Sequence, residues 1–300
     1  MGQVWVIGEA LIDLIPAGIK RKPIVGGGPA NTAKALAKLG IATQFIDCIS
    51  TDIYGKVASN DLLDSGVKLG YVKYSDKPTC LAIVSLSESG SASYEFKIEN
   101  TATFDFTLDW LPDAQSKTPS LIHVGTLATI IEPGASVLLE WAQSVVKVAP
   151  IVFDPNIRPA VISDRKRYVM QVERWVAISS AVKVSDEDIK WLYPSLAIDQ
   201  VVNNWLTKGP SLIVVTYGDK GLAGYRVDEK VSVDAVKVVV ADTVGAGDTV
   251  GAILVEAIVK AGLNTLSGVR LEMMLNRAAK AAAVTVSRSG SNPPTLKEIE

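Results

Sequence analysis

The sequence predicts an α/β fold: a mainly parallel central sheet with helices on both faces, plus a small antiparallel sheet standing off it. Three observations carry this. Short apolar runs alternate with amphipathic stretches through most of the 300 residues, the pattern of strands buried on both faces and joined by crossover helices. Hydrophobic residues make up 48% and charged residues 21% of the chain, which suits a packed core and excludes a disordered one. Residues 71–98 break the alternation with two adjacent extended runs. A chain of this length buries about 75% of its unfolded surface, enough for a single domain over residues 1–300, and it carries no repeat or low-complexity tract.

In order along the chain, Val4–Gly8 suits a buried strand, and residues 13–25 are irregular and extended. Pro29–Leu39 (PANTAKALAKL) is a helix, with Pro29 in its first turn and Gly40 just past its end. Gln44–Ile49 is a strand, and Lys56–Asp64 is a helix closed by Gly66. Thr79–Leu86 and Ser93–Ile98, joined by the turn-rich SESGSAS, form a hairpin. Residues 13–25 and 71–106 together build the small antiparallel sheet, placed to act as a lid; an ordinary edge hairpin is the plainer alternative. Leu121–Val124, Ile151–Phe153, Ala181–Val184 and Leu212–Thr216 continue the main sheet, with helices at about 134–148, 164–177 and 186–207. An extended run, Lys237–Val240, precedes a glycine turn, and Thr249–Val259 reads as an apolar helix after it.

Composition narrows the function. Thirty Lys and Arg against 32 Asp and Glu leave a formal charge of −2, with no basic stripe for nucleic acid. The single histidine, His123, excludes a histidine-rich metal site and reads as a satisfied core residue in a buried strand. Cys48 and Cys80 are too few for a zinc ribbon or a disulfide framework and suit a reducing compartment. The first apolar run carries Glu9 and Asp13, unlike a signal peptide. Val6 stands where a myristoylation pattern needs Ser or Thr. Nowhere do 18 apolar residues run without a charge. The expectation is a soluble, cytoplasmic protein with no nucleic-acid or membrane partner.

The segment richest in chemistry is Asp242–Ala252, DTVGAGDTVGA. A glycine turn opening a helix leaves N–H groups at the positive end of the helix dipole, an anion site. Asp248 at its mouth serves equally as an N-cap. Gly245, Gly247 and Gly251 are spaced GxGxxxG, so a dinucleotide fingerprint fails by one residue, and an acid after the second glycine would repel a pyrophosphate. A carboxylate beside an anion hole fits a substrate hydroxyl meeting a phosphoryl group in transit. GGGPAN (Gly26–Asn31) lets backbone approach a ligand closely and offers an amide at a helix start, though it also reads as a flexible turn. Asp13 follows the first strand, where open α/β sheets present ligands. DPNIR (Asp154–Arg158) ends another strand with a guanidinium. KVSDED (Lys183–Asp188) opens a helix, where acids also complement the dipole. TYGDKG (Thr216–Gly221) is a turn after a strand: a phosphate contact or a tight hairpin. All fall at strand ends. No GxxxxGK[ST] segment is present, so nucleotide use of the P-loop kind is excluded.

On GEALIDLIP, GGGPAN, DTVGAGDTVGAIL and the tail AVTVSRSGSNPP, the chain resembles the PfkB (ribokinase-like) family of carbohydrate kinases over nearly its whole length. Within it, GTLATIIEPG and DPNIRP resemble bacterial fructokinases. The resemblance implies an ATP-dependent phosphotransferase acting on a ketohexose, or on another acceptor such as 2-keto-3-deoxygluconate or ribose. A lapsed, non-catalytic sugar- or nucleotide-binding regulator would be expected to lack Asp248. By position, Asp248 is implied as catalytic base, and Gly245, Ala246 and Gly247 as the anion hole. Asp13, Gly27, Gly28 and Asn31 would hold sugar hydroxyls, with Arg158 on substrate or phosphoryl group and Phe96 or Phe104 as lid aromatics. Lys183, Ser185, Thr216, Gly218 and Gly221 would line the ATP phosphates, with Asn276 and Ala279 by the adenine. Asp242 and Val244 resemble a monovalent-cation (K⁺) site, with part of Ser287–Ser291. The family's Asn-x-x-Glu, which organises Mg²⁺ through water, is replaced by Ser185 and Asp188, one methylene shorter in reach. An exposed small sheet also offers edges for a homodimer.

Overall fold

The computed structural model describes residues 2–17, 20–86 and 92–300. Its strands are, in chain order, β1 (Val4–Ile7), β2 (Leu11–Ala17), β3 (Lys20–Gly26), β4 (Thr43–Ile46), β5 (Cys48–Ser50), β6 (Lys73–Ser75), β7 (Leu81–Leu86), β8 (Ala92–Lys97), β9 (Leu121–Gly125), β10 (Ile151–Asp154), β11 (Ala181–Ser185), β12 (Leu212–Thr216), β13 (Leu222–Arg226) and β14 (Glu229–Val233). The helices are α1 (Gly28–Lys38), α2 (Ile53–Asp64), α3 (Ala114–Lys117), α4 (Gly134–Val145), α5 (Arg165–Ile178), α6 (Asp186–Leu192), α7 (Ile198–Leu206), α8 (Ala246–Ala261), α9 (Gly268–Val286) and α10 (Leu296–Ile299).

The main sheet runs β14-β13-β12-β11-β10-β9-β1-β4. It is parallel from β4 to β12, and β13 and β14 add an antiparallel edge. Alternate residues of each strand feed opposite layers. Trp5, Ile7, Ile122, Phe153, Val182 and Ile213 pack with α4–α7. Val4, Val6, Leu121, Val152, Ala181 and Leu212 pack with α1, α8 and α9. The chain leaves β1 toward β4 on one side and returns through β9 on the other, so a topological switch lies at the C-terminal ends of β1 and β9, where open α/β sheets bind ligands.

The small sheet runs β3-β2-β7-β8. Its two hairpins are antiparallel and β2 joins β7 in parallel. Asp13, Ala82 and Phe96 stand in register across β2, β7 and β8; the opposite face sends Ile12, Leu14 and Val25 into the core. Ser87–Ser91, most of the expected SESGSAS turn, and Gly18–Ile19 lie outside the described residues. Residues 73–75 pair with β5 rather than with this sheet.

Three expectations are corrected. The strand placed at Gln44–Ile49 breaks at Asp47, whose buried carboxylate accepts the amides of Ala10 at 2.9 Å and Cys48 at 2.8 Å and turns the chain out of the sheet. The helix placed at 186–207 is two, α6 and α7, because Pro194 has no N–H to continue the first. Lys237–Val240 is not a strand: it runs outside the sheet with Val239 90% exposed. Its valines reflect strand propensity without a partner to pair with.

Trp175, on α5, is fully buried and stacks on Phe153 with ring centroids 5.7 Å apart. Its indole nitrogen has no hydrogen-bond partner among the described residues. Trp175→Ala therefore lowers unfolding free energy by about 3–5 kcal/mol, and Trp175→Phe, which removes an unsatisfied donor, costs less than half as much. Denaturant melts of the two variants check the order.

Candidate active site

The site starts from a helix terminus. Gly245 adopts φ 82°, and a Cβ there would collide with Ser291 Oγ, so only glycine allows this entry into α8. The helix begins at Ala246, three residues before the expected start at Thr249. Asp248 thus lies inside its first turn and is not the cap, which is Gly245. The amides of this turn have no intrahelical acceptors and face anions well.

Asp248 is 7% exposed, and its Oδ2 accepts from Asn31 Nδ2 at 2.9 Å. Burial raises its carboxyl to about 6, countered by the Lys183 ammonium and the Asn31 hydrogen bond. Gly28, at the start of α1, makes this meeting geometrically feasible. A Cβ there would stand 2.7 Å from Thr126 Oγ1, 2.8 Å from Asn156 Nδ2 and 3.3 Å from Asp248 Oδ1. Thr126 and Asn156 both hold left-handed backbone, φ 59° and 39°, an uncommon conformation that concentrates at functional sites.

Beneath the helix terminus lies a buried ion pair. Lys183 Nζ is 2.9 Å from Asp154 Oδ2, with side chains 5% and 3% exposed. Burial alone would lower the ammonium, but Asp154 and Asp248 more than offset it and hold it above its ordinary value. A Cβ on Gly247 would come within 2.8 Å of Nζ, so this glycine lets the cation sit against the first turn of α8.

These groups open on one cavity of about 500 Å³, lined among others by Glu9, Asp13, Asn31, Phe96, Arg158, Lys183 and Asp248. Gly27, Gly28, Val244, Gly245 and Gly247 also line it. Asp13 is raised to about 6 by burial and eased by Arg158. The Arg158 guanidinium bonds the carbonyls of Asn156 and Ile157 and stays exposed.

Of the phosphate-side candidates Lys183 lines this cavity, whereas Ser185, Thr216, Gly218 and Gly221 lie outside it. Ser185 and Thr216 are register partners at the ends of β11 and β12. Ser185 caps α6, its Oγ accepting the Asp188 amide at 3.0 Å. Gly218 and Gly221 take positive φ in the β12–β13 hairpin turn, the structural alternative for this segment. Asp188 accepts the Ile157 amide at 3.0 Å and so ties down the Asp154–Arg158 segment; burial raises its carboxyl to about 6. Asn276 is exposed on α9, and Ala279, 5% exposed, packs in the core. Asp242 accepts the amides of Val244 at 3.0 Å and Gly290 at 2.9 Å, fixing the loop before α8.

Two expectations fail. Phe104 is buried in the core and offers no ring to the cavity. His123 is buried as expected but not satisfied: neither ring nitrogen has a partner among the described residues, and burial lowers it to about 4. The sequence reading also assigned no role to Glu9, Thr126, Asn156 or Asp154. Asp154 and Asn156 lie inside DPNIR, Thr126 lies inside GTLATIIEPG, and Glu9 is a charge in an apolar run.

The geometry has known counterparts. A fructokinase of Rhizobium leguminosarum bv. trifolii is 37% identical over 247 residues, 81% of this chain and 75% of its own. The fructokinase of Xylella fastidiosa with bound ATP superimposes with a TM-score of 0.91 at 24% identity, over 99% of this chain and 96% of its own. A double mutant of Vibrio cholerae O395 fructokinase, in a form with bound fructose, ADP and potassium ion, gives a TM-score of 0.86 at 26% identity over 97% and 94% of the two chains. Residues 1–298 match the family of pfkB carbohydrate kinases, and the chain belongs to that family.

Proposed function

We propose that this protein transfers the γ-phosphoryl group of ATP to a primary hydroxyl of fructose. One observation carries the reading: Asp248 faces the same cavity as Asp13 and Asn31 from within the turn whose amides form the anion hole. The fructokinase relatives support the choice of acceptor.

The sugar lies against Asp13, Gly27, Gly28 and Asn31, with Phe96 of the small sheet above it. That sheet acts as a lid, excluding water that would otherwise take the phosphoryl group. Asp248 accepts the hydroxyl proton as the new P–O bond forms. With a carboxyl near 6 rather than its ordinary 3.8, it is better matched to neutral pH than an exposed aspartate. The amides of Gly245, Ala246 and Gly247 and the Lys183 ammonium stabilise charge on the moving phosphoryl group, and Arg158 reaches it or the sugar. The nucleotide extends along the strand ends past Ser185, Thr216, Gly218 and Gly221, with its base toward Asn276 and Ala279.

Among the described residues no group of three or more His, Cys, Asp or Glu could hold a metal. A divalent ion, Mg²⁺, would enter on the ATP phosphates as part of that substrate. Asp188, with one oxygen committed to Ile157, would help hold it through water. The Asp242–Val244 loop, held by its own carboxylate, would offer backbone carbonyls to K⁺, which would supply fixed positive charge near the anion hole.

Asp248→Ala lowers turnover by about 10²–10⁴-fold with the KM for ATP within about threefold; stopped turnover assays check it, and near-normal turnover would remove Asp248 from the mechanism. Proton uptake disables the base, so kcat/KM falls as pH drops below about 6. Asp13 titrates in the same window, so the acid limb belongs to the pair. The sign for stability is opposite. The folded state holds the Asp248 proton more tightly than the unfolded chain, so its contribution to stability is greatest below 3.8 and is lost as pH rises through about 6. Asp248→Asn thus melts at pH 7 no lower than wild type. ADP release measured over fructose, ribose and 2-keto-3-deoxygluconate tests the acceptor: the highest kcat/KM falls on fructose, and a preference for another sugar replaces it.

A further inference from the structure

Glu9 is a buried acid in the cavity that the proposed transfer does not use. It follows β1 at the topological switch and is fully buried. Its Oε2 accepts the Ala128 amide at 3.2 Å. Its Oε1, equally buried, has no hydrogen-bond partner among the described residues, and Glu9 is one of the residues lining the cavity, with Asp13, Asn31 and Arg158. A polar atom stripped of water and left unpaired is costly, so an atom of this kind at a cavity wall marks the place of a ligand atom.

Its protonation state follows from its surroundings. Burial raises the carboxyl to about 8, against the pull of the Glu9, Ala128 and Leu127 amides and the Arg158 charge. Behind it stands Asp47, another fully buried carboxyl, and Cys80 and Tyr168 also feel its charge. The Arg158 charge acts on it, but its guanidinium is turned to its own loop carbonyls. With Oε2 engaged as an acceptor, the proton of the neutral acid resides on Oε1.

We propose that Glu9 is a sugar-recognition residue whose Oε1 donates a hydrogen bond to one oxygen of the acceptor. This rests on the sugar-kinase reading. It gives the pocket a neutral donor beside the acceptors of Asp13 and Asp248, and a donor buried for one oxygen rejects sugars lacking it.

The test crosses side-chain deletion with hydroxyl deletion. Wild type, Glu9→Gln and Glu9→Met are assayed by ADP release on fructose and its monodeoxy derivatives. Glu9→Gln, which keeps an N–H where the O–H stood, stays within about threefold of wild type, and Glu9→Met raises the sugar KM by about 10–100-fold with the KM for ATP unchanged. One deoxy sugar, disfavoured by wild type, becomes nearly equivalent to fructose in Glu9→Met. A loss spread evenly over all the sugars, or no loss, overturns the proposal. Infrared difference spectra decide the case if Glu9→Met does not fold. A protonated carboxyl band present at pH 7 in wild type and absent from Glu9→Gln shifts when fructose binds; its absence or indifference to sugar overturns the assignment. Wild type that phosphorylates no sugar refutes the sugar-kinase reading instead, a distinct outcome.

Discussion

A carboxylate held out of water at the positive end of a helix is the constraint around which the rest is arranged. Asp248 near 6 sits in conflict with its own burial, and three features keep it tolerable. The Asn31 amide satisfies one oxygen, the helix dipole favours negative charge in the first turn, and Lys183 supplies a cation from below. Each comes from a different part of the chain: Asn31 from α1, Lys183 from β11, the acid from α8. The site therefore exists only when the sheet order is complete, which couples folding to chemistry.

Lys183 illustrates how the layering serves that purpose. A lone buried ammonium would lose its proton; paired with Asp154 at 2.9 Å it keeps it. Such a pair adds little net stability, because desolvation of both ions offsets their attraction. Its value is positional, since neighbouring β10 and β11 fix both groups relative to α8, and Gly247 leaves room for Nζ under the amides.

Much of this was legible locally. DTVGAGD declared a glycine-started helix with an acid in it, and GGGPAN declared a close backbone approach, because both requirements are satisfied within a few residues. What stayed hidden depends on partners distant in sequence. Glu9 acquires its meaning from Ala128, 119 residues on, and Asp154 from Lys183, 29 residues on. Lys237–Val240 misled in the opposite sense: four residues ideal for a strand lie outside the sheet beyond its last strand. The break at Asp47 was equally invisible, since the amide of Ala10 that it accepts lies 37 residues away.

The charge layout of the cavity bears on how the two substrates enter. Asp13 and Asp248 on its wall, and Asp188 behind it, all titrate near 6. Against them stand Lys183, already committed to Asp154, and the exposed Arg158. An ATP triphosphate added to this field meets more anion than cation. At about 4 Å and an effective dielectric near 20, each unbalanced pair of like charges costs on the order of 4 kcal/mol. Protein groups alone do not offset that, so on the proposed reading the divalent ion is a requirement of electrostatics. A neutral sugar faces no such barrier. On the same reading it would meet hydrogen-bond acceptors at Asp13 and Asp248 and, in the neutral acid of Glu9, a donor that adds no charge to a site already short of cations.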